Sequence, residues 1–202
     1  MKRLSACLAA LAYLCVTSSA HALTPALGKN LRNLPKAGPI ALGGVTQPPL
    51  GFVFYCARDP RACQPASSRS VDVTKDGRVV MGPEVASAIM AVNMKVNREI
   101  RPVAESPGAP DVWEANVAAG DCEDFALTKQ RRLLKAGWPS SALLMAKVRM
   151  RDGSYHAILV TRTSTGDYVL DNMTDEIRPW NEAPYRFIGV QSPNDPAVWR
   201  KV

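Results

Sequence analysis

The chain is poor in histidine. Its 202 residues hold two, His21 and His156, so any imidazole chemistry must fall to one of them. It has no run of Lys and Arg with interleaved aromatics, which argues against a nucleic-acid partner. It has no low-complexity tract and no period of 20–50 residues, which excludes solenoids and propellers. Beyond its first residues it has no apolar stretch of the about 20 residues needed to cross a bilayer. What is present is ordinary for a globular protein: 47% hydrophobic and 21% charged residues, with a formal net charge of +7. The length suits one domain with a sizeable core. The mild basicity suits solubility, or weak attraction to anionic envelope surfaces.

The first residues read as a targeting segment. Lys2 and Arg3 give a positive start, Leu4 to Val16 is mostly apolar, and Ala20-His21-Ala22 supplies a small-x-small cleavage pattern. Residues 1–22 are therefore expected to be a signal peptide, and the mature chain to be periplasmic and not membrane-spanning. Residues 23–50, rich in Pro and Gly, are expected to wrap the surface as an extended arm, leaving 51–202 as the working domain.

Cleavage would remove Cys7, Cys15 and His21. Cys56, Cys63, Cys122 and His156 remain. Disulfides persist in an oxidising compartment. Cys56 and Cys63 bracket Arg58-Asp59-Pro60-Arg61, where a turn can bring them together, and no histidine lies nearby to suggest a metal. They are expected to pair. Cys122 is then an odd thiol that needs an explanation.

Gly51 to Tyr55 (GFVFY) reads as a short apolar strand or buried loop. Asp76-Gly77 is a hairpin-type turn between Val71 and Met81. Gly82-Pro83-Glu84 is a helix start, and Val85, Ile89, Val92, Val96 and Ile100 follow on one apolar face until Pro102. A second helix begins at Asp121, a good N-cap residue, with Glu123 and Asp124 in a first turn that favours negative charge. Gly137 closes it. Strands are then expected at Leu143 to Met150, Tyr155 to Thr161, Tyr168 to Asp171 and Tyr185 to Val190. Helices followed by an antiparallel meander give an α+β domain. Trp113 and Trp138 are expected in its core.

Cys122 falls in the first turn of the second helix. Free backbone N–H groups and the helix dipole lower a thiol's pKa there, and the Cys122 N–H can help hold an oxyanion. Taken alone, a cysteine at this position also suits a buried structural role. His156 changes the balance, because it is the histidine left to activate a nucleophile. Asp171 ends the following strand. Two antiparallel neighbours can set His156 beside Asp171, whose carboxylate would then fix the imidazole tautomer.

Gly120-Asp121-Cys122-Glu123-Asp124-Phe125-Ala126 resembles a known family, the bacterial transglutaminase-like cysteine proteinases, which include the LapG-type periplasmic proteases that clip biofilm adhesins. Ser154 to Leu159 resembles the family's histidine strand and Gly166 to Asn172 its aspartate strand. Val92-Asn93, Val96-Asn97, the Cys56/Cys63 pair, Trp180, Tyr185 and Gln191-Ser192 are similar as well. The resemblance implies a papain/transglutaminase-like fold, with N-terminal helices packed on an antiparallel sheet. It implies a Cys122-His156-Asp171 triad: nucleophile, base and orienting carboxylate. It also implies calcium held by Asp121, Glu123 and Asp124, with no other cofactor required. Three carboxylates beside a thiol oppose its ionisation, and a hard cation with oxygen ligands would offset them. Capping and dipole matching account for the same residues without a metal. The implied partners are a protein substrate in the periplasm or outer envelope and a regulatory membrane protein. Two alternatives share these residues: a transglutaminase-type acyl transferase, and a non-catalytic periplasmic binding module of the same fold.

Overall fold

The computed structural model describes residues 34–202 apart from residue 107. The expected signal peptide and the first part of the arm lie outside the described residues. Helix α2 (Pro83–Glu99) starts where Pro83 loses nothing, because a first-turn N–H has no intrahelical partner. It buries Ala86, Ile89, Asn93 and Val96, a three-and-four spacing that presents one face. Beyond it, β2 (Arg101–Pro102) pairs in parallel with β3 (Ala119–Gly120). That small ribbon delivers the chain directly to α3 (Cys122–Lys135). Residues 123–130 of α3 are all buried, although five of the eight are polar or charged. Several of these hold neighbouring loops: Asp124 Oδ1 accepts from the Glu114 N–H, Thr128 Oγ1 from the Asn116 N–H, and Gln130 donates to the Leu143 carbonyl. Gly137 ends the helix region with φ +92°, the conformation for which glycine is suited.

Gly51 to Tyr55 is helical, contrary to the strand or loop expected. Helix α1 spans Leu50–Arg58 and buries Gly51, Phe52 and Tyr55. The reason is tertiary. Gly51 packs so closely on the Trp113 ring that no Cβ would fit. Phe52 meets Trp113 and Trp199 edge-on, at ring-centroid distances of 5.6 and 5.4 Å. Cys56, in α1, is joined to Cys63 in the following 3-10 turn, with Cα atoms 5.6 Å apart, as their spacing led us to expect. Closing so short a loop contributes about 2–3 kcal/mol in the chain-entropy account.

The main sheet has seven antiparallel strands in the order β1-β9-β8-β4-β5-β6-β7. They are β1 (Val45–Thr46), β4 (Leu143–Arg149), β5 (Tyr155–Thr163), β6 (Gly166–Asp171), β7 (Thr174–Pro179), β8 (Arg186–Gln191) and β9 (Trp199–Lys201). Leu143, Met145, Leu159, Tyr168 and Leu170 face the helices, packing with Phe52, Ile89, Leu127, Leu133, Trp113 and Trp138. Leu144, Ala146, Ile158, Val160, Val169 and Phe187 form the opposite face, covered by Ile40, Leu42, Trp180 and Tyr185. Ile40 and Leu42 come from the Pro- and Gly-rich segment. It is anchored there by Trp180 Nε1–H donating to the Gly38 carbonyl (2.8 Å) and by the Ile40 N–H donating to Asp167 (2.8 Å). Burial on both faces explains why the central strands read as near-continuous apolar runs. The fold is α+β, as expected.

Candidate active site

The site lies where the sheet loses one strand. Strand β5 pairs with β4 from Tyr155 onward, but its ladder with β6 begins only at Leu159↔Leu170. Residues 155–158 therefore run past the end of β6, where Asp171 turns back into β7. The N-terminus of α3 fills this gap. The Ala157 N–H, which lacks a β6 partner, donates to Cys122 Sγ at 3.3 Å. Ala157 follows His156 directly, so the helix start and the histidine strand meet at the sulfur.

His156 Nε2 lies 2.9 Å from Asp171 Oδ1. The Met173 N–H donates to the same oxygen at 3.0 Å, and Tyr185 OH donates to Oδ2 at 2.5 Å. Both oxygens of Asp171 are thus used. Burial by itself would push this carboxyl up. The hydrogen bonds from His156 and Tyr185, the His156 charge and the Met173 N–H outweigh it and hold the group below its usual range. An ionised Asp171 fixes the proton on Nε2 and leaves Nδ1 as the free nitrogen. Tyr185 also packs against the imidazole, with ring centroids 5.5 Å apart. Behind the pair, Asn97 Nδ2 donates to the Asp171 and Thr174 carbonyls at 2.9 and 3.1 Å, and to Asp175 Oδ1 at 3.0 Å, which ties the β6–β7 turn to α2.

The cysteine side is different. Burial pushes the Cys122 thiol well up, and the neighbouring Glu123 and Asp121 carboxylates push it further, against the opposing Ala157 N–H. This reverses the lowering expected from the helix start alone: desolvation, with the neighbouring acids adding to it, outweighs the dipole. The thiol donates to Glu123 Oε2 at 3.4 Å. Glu123 itself is raised to about 9 by burial and by Asp121, and Asp124 to about 6, chiefly by burial.

Asp121 occupies the N-cap position with extended backbone, but its side chain makes no capping hydrogen bond. Capping therefore does not account for this carboxylate. Oxygens of Asp121, Glu123 and Asp124 lie within 4.8 Å of one another, as do oxygens of Glu105, Asp111 and Glu123. Asp121 Oδ1 and Glu123 Oε1 are buried without a hydrogen-bond partner. Gly120 is needed here, because a Cβ would stand 2.8 Å from the Asp124 Cβ.

Sequence reasoning singled out Cys122, His156, Asp171 and the three flanking acids, and the structure gathers all six at one end of α3. It missed Glu105 and Asp111, which lie in a loop with no periodic signal. Tyr185 and Asn97 are similar to the family in sequence, and their contacts with Asp171 come only from the fold. Sequence reasoning also passed over Lys129, fully buried without a hydrogen-bond partner; burial lowers its pKa to about 7, against the opposing charges of Asp171 and Asp175.

Three solved structures of Legionella pneumophila LapG are similar to this chain. The calcium-bound form is 21% identical with a TM-score of 0.48, covering 52% of this chain and 64% of that one. The EGTA-treated form is 21% identical with a TM-score of 0.47, covering 52% and 62%. A third is 22% identical with a TM-score of 0.48, covering 52% and 63%. This chain thus spans less than two thirds of each of them. No curated protein matches the sequence. The family described as bacterial transglutaminase-like cysteine proteinase matches residues 42–202, and to that family this chain belongs.

Proposed function

We propose that the protein is a thiol peptidase that hydrolyses a peptide bond in an exported protein, using Cys122, His156 and Asp171. One observation carries the reading: the Cys122 sulfur rests on the backbone of the residue after His156, while His156 is held by the doubly anchored Asp171. In this mechanism His156 Nδ1 takes the thiol proton as Sγ attacks the carbonyl carbon. The Cys122 N–H, in the first turn of α3, has no intrahelical partner and can donate to the developing oxyanion. His156 then protonates the leaving amine. It next activates a water, whose attack releases the new carboxyl and frees the sulfur. Asp171 holds Nε2–H throughout and balances the imidazolium charge.

The carboxylates around Glu123 fit a hard cation. Asp121, Glu123 and Asp124 would hold Ca2+ from α3, with Glu105 and Asp111 reaching from the loop. Such an ion would supply positive charge against the acids that oppose thiol ionisation. The similarity to a protein solved in a calcium-bound form supports this.

A periplasmic location is part of the same proposal. It rests on the pattern of residues 1–22 and on the disulfide. No helix among the described residues is long and apolar enough to cross a membrane.

The test is to incubate the wild-type protein and its Cys122→Ala variant with a mixture of exported proteins and map chain ends by mass spectrometry. New ends with the wild type alone support the reading. Identical ends with both refute it. Incorporation of a labelled amine without new ends would indicate acyl transfer instead.

A further inference from the structure

The helices leave part of their side of the sheet open. Leu143, Met145 and Leu159 lie beneath them. Farther along the same face of β4 and β5 come Lys147, Arg149 and Tyr155, with Tyr155 58% exposed. The register extends this face sideways. Lys147 is opposite Ala157 and Arg149 opposite Tyr155 on one flank. On the other, Lys147 is opposite Gly189 and Arg149 opposite Arg186. Gly189 is in turn opposite Lys201. Directly opposed residues share a face, so Lys147, Arg149, Arg186 and Lys201 form one shelf that runs across four strands from Tyr155. Lys147 Nζ sits 3.9 Å from the centroid of the Tyr155 ring, and Arg149 Cζ 5.6 Å from it.

Two features of the shelf call for a ligand. Among the described residues, none of its four cations forms a salt bridge, although acids partner Arg78, Arg132, Arg162 and Arg178 elsewhere. Arg149 and Arg186 are like charges directly opposed, an arrangement that costs stability unless a counter-charge lies between them. The shelf is also continuous with the proposed active site. Its Lys147 faces Ala157, whose N–H touches Cys122 Sγ, and it lies on the side of β5 away from Asp171.

We infer that this shelf is a substrate subsite for an acidic peptide segment, with Asp or Glu side chains on one side of the scissile bond. Its position as a subsite rests on the peptidase reading. An extended peptide rises about 3.3 Å per residue and neighbouring strands lie about 4.8 Å apart, so side chains that reach Lys147 and Arg149 fall about one to three residues from the bond. The Tyr155 ring holds Lys147 and Arg149 at the surface, and Arg149, whose Nε donates to the Gly153 carbonyl, keeps its other N–H groups for a carboxylate.

The test is fluorescence anisotropy with labelled peptides and the Cys122→Ala protein in calcium-containing buffer. One peptide carries a run of Glu; its counterparts carry Gln or Lys at the same positions. The acidic peptide should bind about tenfold more tightly than the Gln peptide, and the difference should shrink at high salt. Lys147→Gln/Arg149→Gln should abolish the preference and Lys147→Glu/Arg149→Glu reverse it towards the Lys peptide, with circular dichroism unchanged in at least the milder pair. Equal binding of all three peptides overturns the inference. So does capture by phosphatidylglycerol vesicles that the same substitutions weaken while no peptide preference exists, since the shelf would then serve a lipid surface. An acidic preference in a wild-type protein that cleaves nothing would keep the shelf as an acidic-peptide site and sink the peptidase reading.

Discussion

The two carboxylate centres that flank the site differ in how completely the fold satisfies them. At Asp171 both oxygens accept hydrogen bonds, from His156, Met173 and Tyr185, and the group stays ionised despite burial. At the head of α3, Asp121 and Glu123 each leave one buried oxygen without a partner, and burial pushes Glu123 up to about 9. The first centre is preorganised by protein atoms alone. The second is a cluster of acids without counter-charges from the protein, so that burial favours a proton on Glu123, and a buried unpaired polar oxygen costs about 1–3 kcal/mol. The difference teaches that one side of this site carries its own counter-charges, while the other has room for one from outside.

The largest expected effect breaks the shared element of both sides. Cys122→Ala should reduce peptide hydrolysis by about 10⁴-fold or more with little change in melting temperature, and His156→Ala should do so with a lowered one, because buried Asp171 loses a partner; turnover assays and thermal melts of the same samples check both halves. Next, Asp171→Asn should lower kcat by about 10³–10⁴-fold, because the wrong imidazole tautomer is then favoured. Tyr185→Phe should lower it only about tenfold, the equivalent of one hydrogen bond to a charged group.

Calcium sharpens the comparison through pH. A carboxyl whose folded pKa is raised stabilises the fold when protonated, and that stability is lost as pH climbs through the folded value. With chelator present, melting temperature should therefore fall from about pH 5 to 9 as Glu123 and Asp124 ionise. Calcium should flatten this fall, and Glu123→Gln should remove the metal's effect; a melt series with EGTA or Ca2+ tests it. Asp171, with a lowered pKa, has the opposite sign: its contribution is present above the usual carboxylate range and lost as pH drops below it. The smallest effect concerns Lys129. Its pKa of about 7 lies below the unfolded value, so the fold favours the neutral amine and gains stability as pH rises from about 7 towards 10. Lys129→Met should flatten that segment of the stability curve, read from denaturant midpoints.

Much of this was legible in the amino-acid order. Pro83 at the start of α2, Gly137 at the end of α3 and the Asp76-Gly77 turn act locally, through backbone geometry, so neighbouring residues suffice to reveal them. The central strands were legible because burial on both faces makes them apolar throughout. Edge strands were not. Strand β7, Thr-Asp-Glu-Ile-Arg-Pro, reads as a polar loop because only Ile177 and Pro179 of its six residues are buried. Helix α1 was misread because what makes Gly51 and Phe52 helical is Trp113, far along the chain.

The site divides in the same way. The sequence by itself determined which residues were available: one odd cysteine behind an acidic helix start, one histidine in a strand, and one aspartate ending the next. These are choices of residue type that need no partner to be recognised. Only the tertiary structure decided that Cys122 completes the interrupted edge of β5, that Tyr185 clamps Asp171, that Glu105 and Asp111 approach Glu123, and that four cations share an open face with Tyr155. Each of those depends on contact between segments distant in sequence. Such contacts are set by how the sheet closes over its core, and no local pattern encodes them.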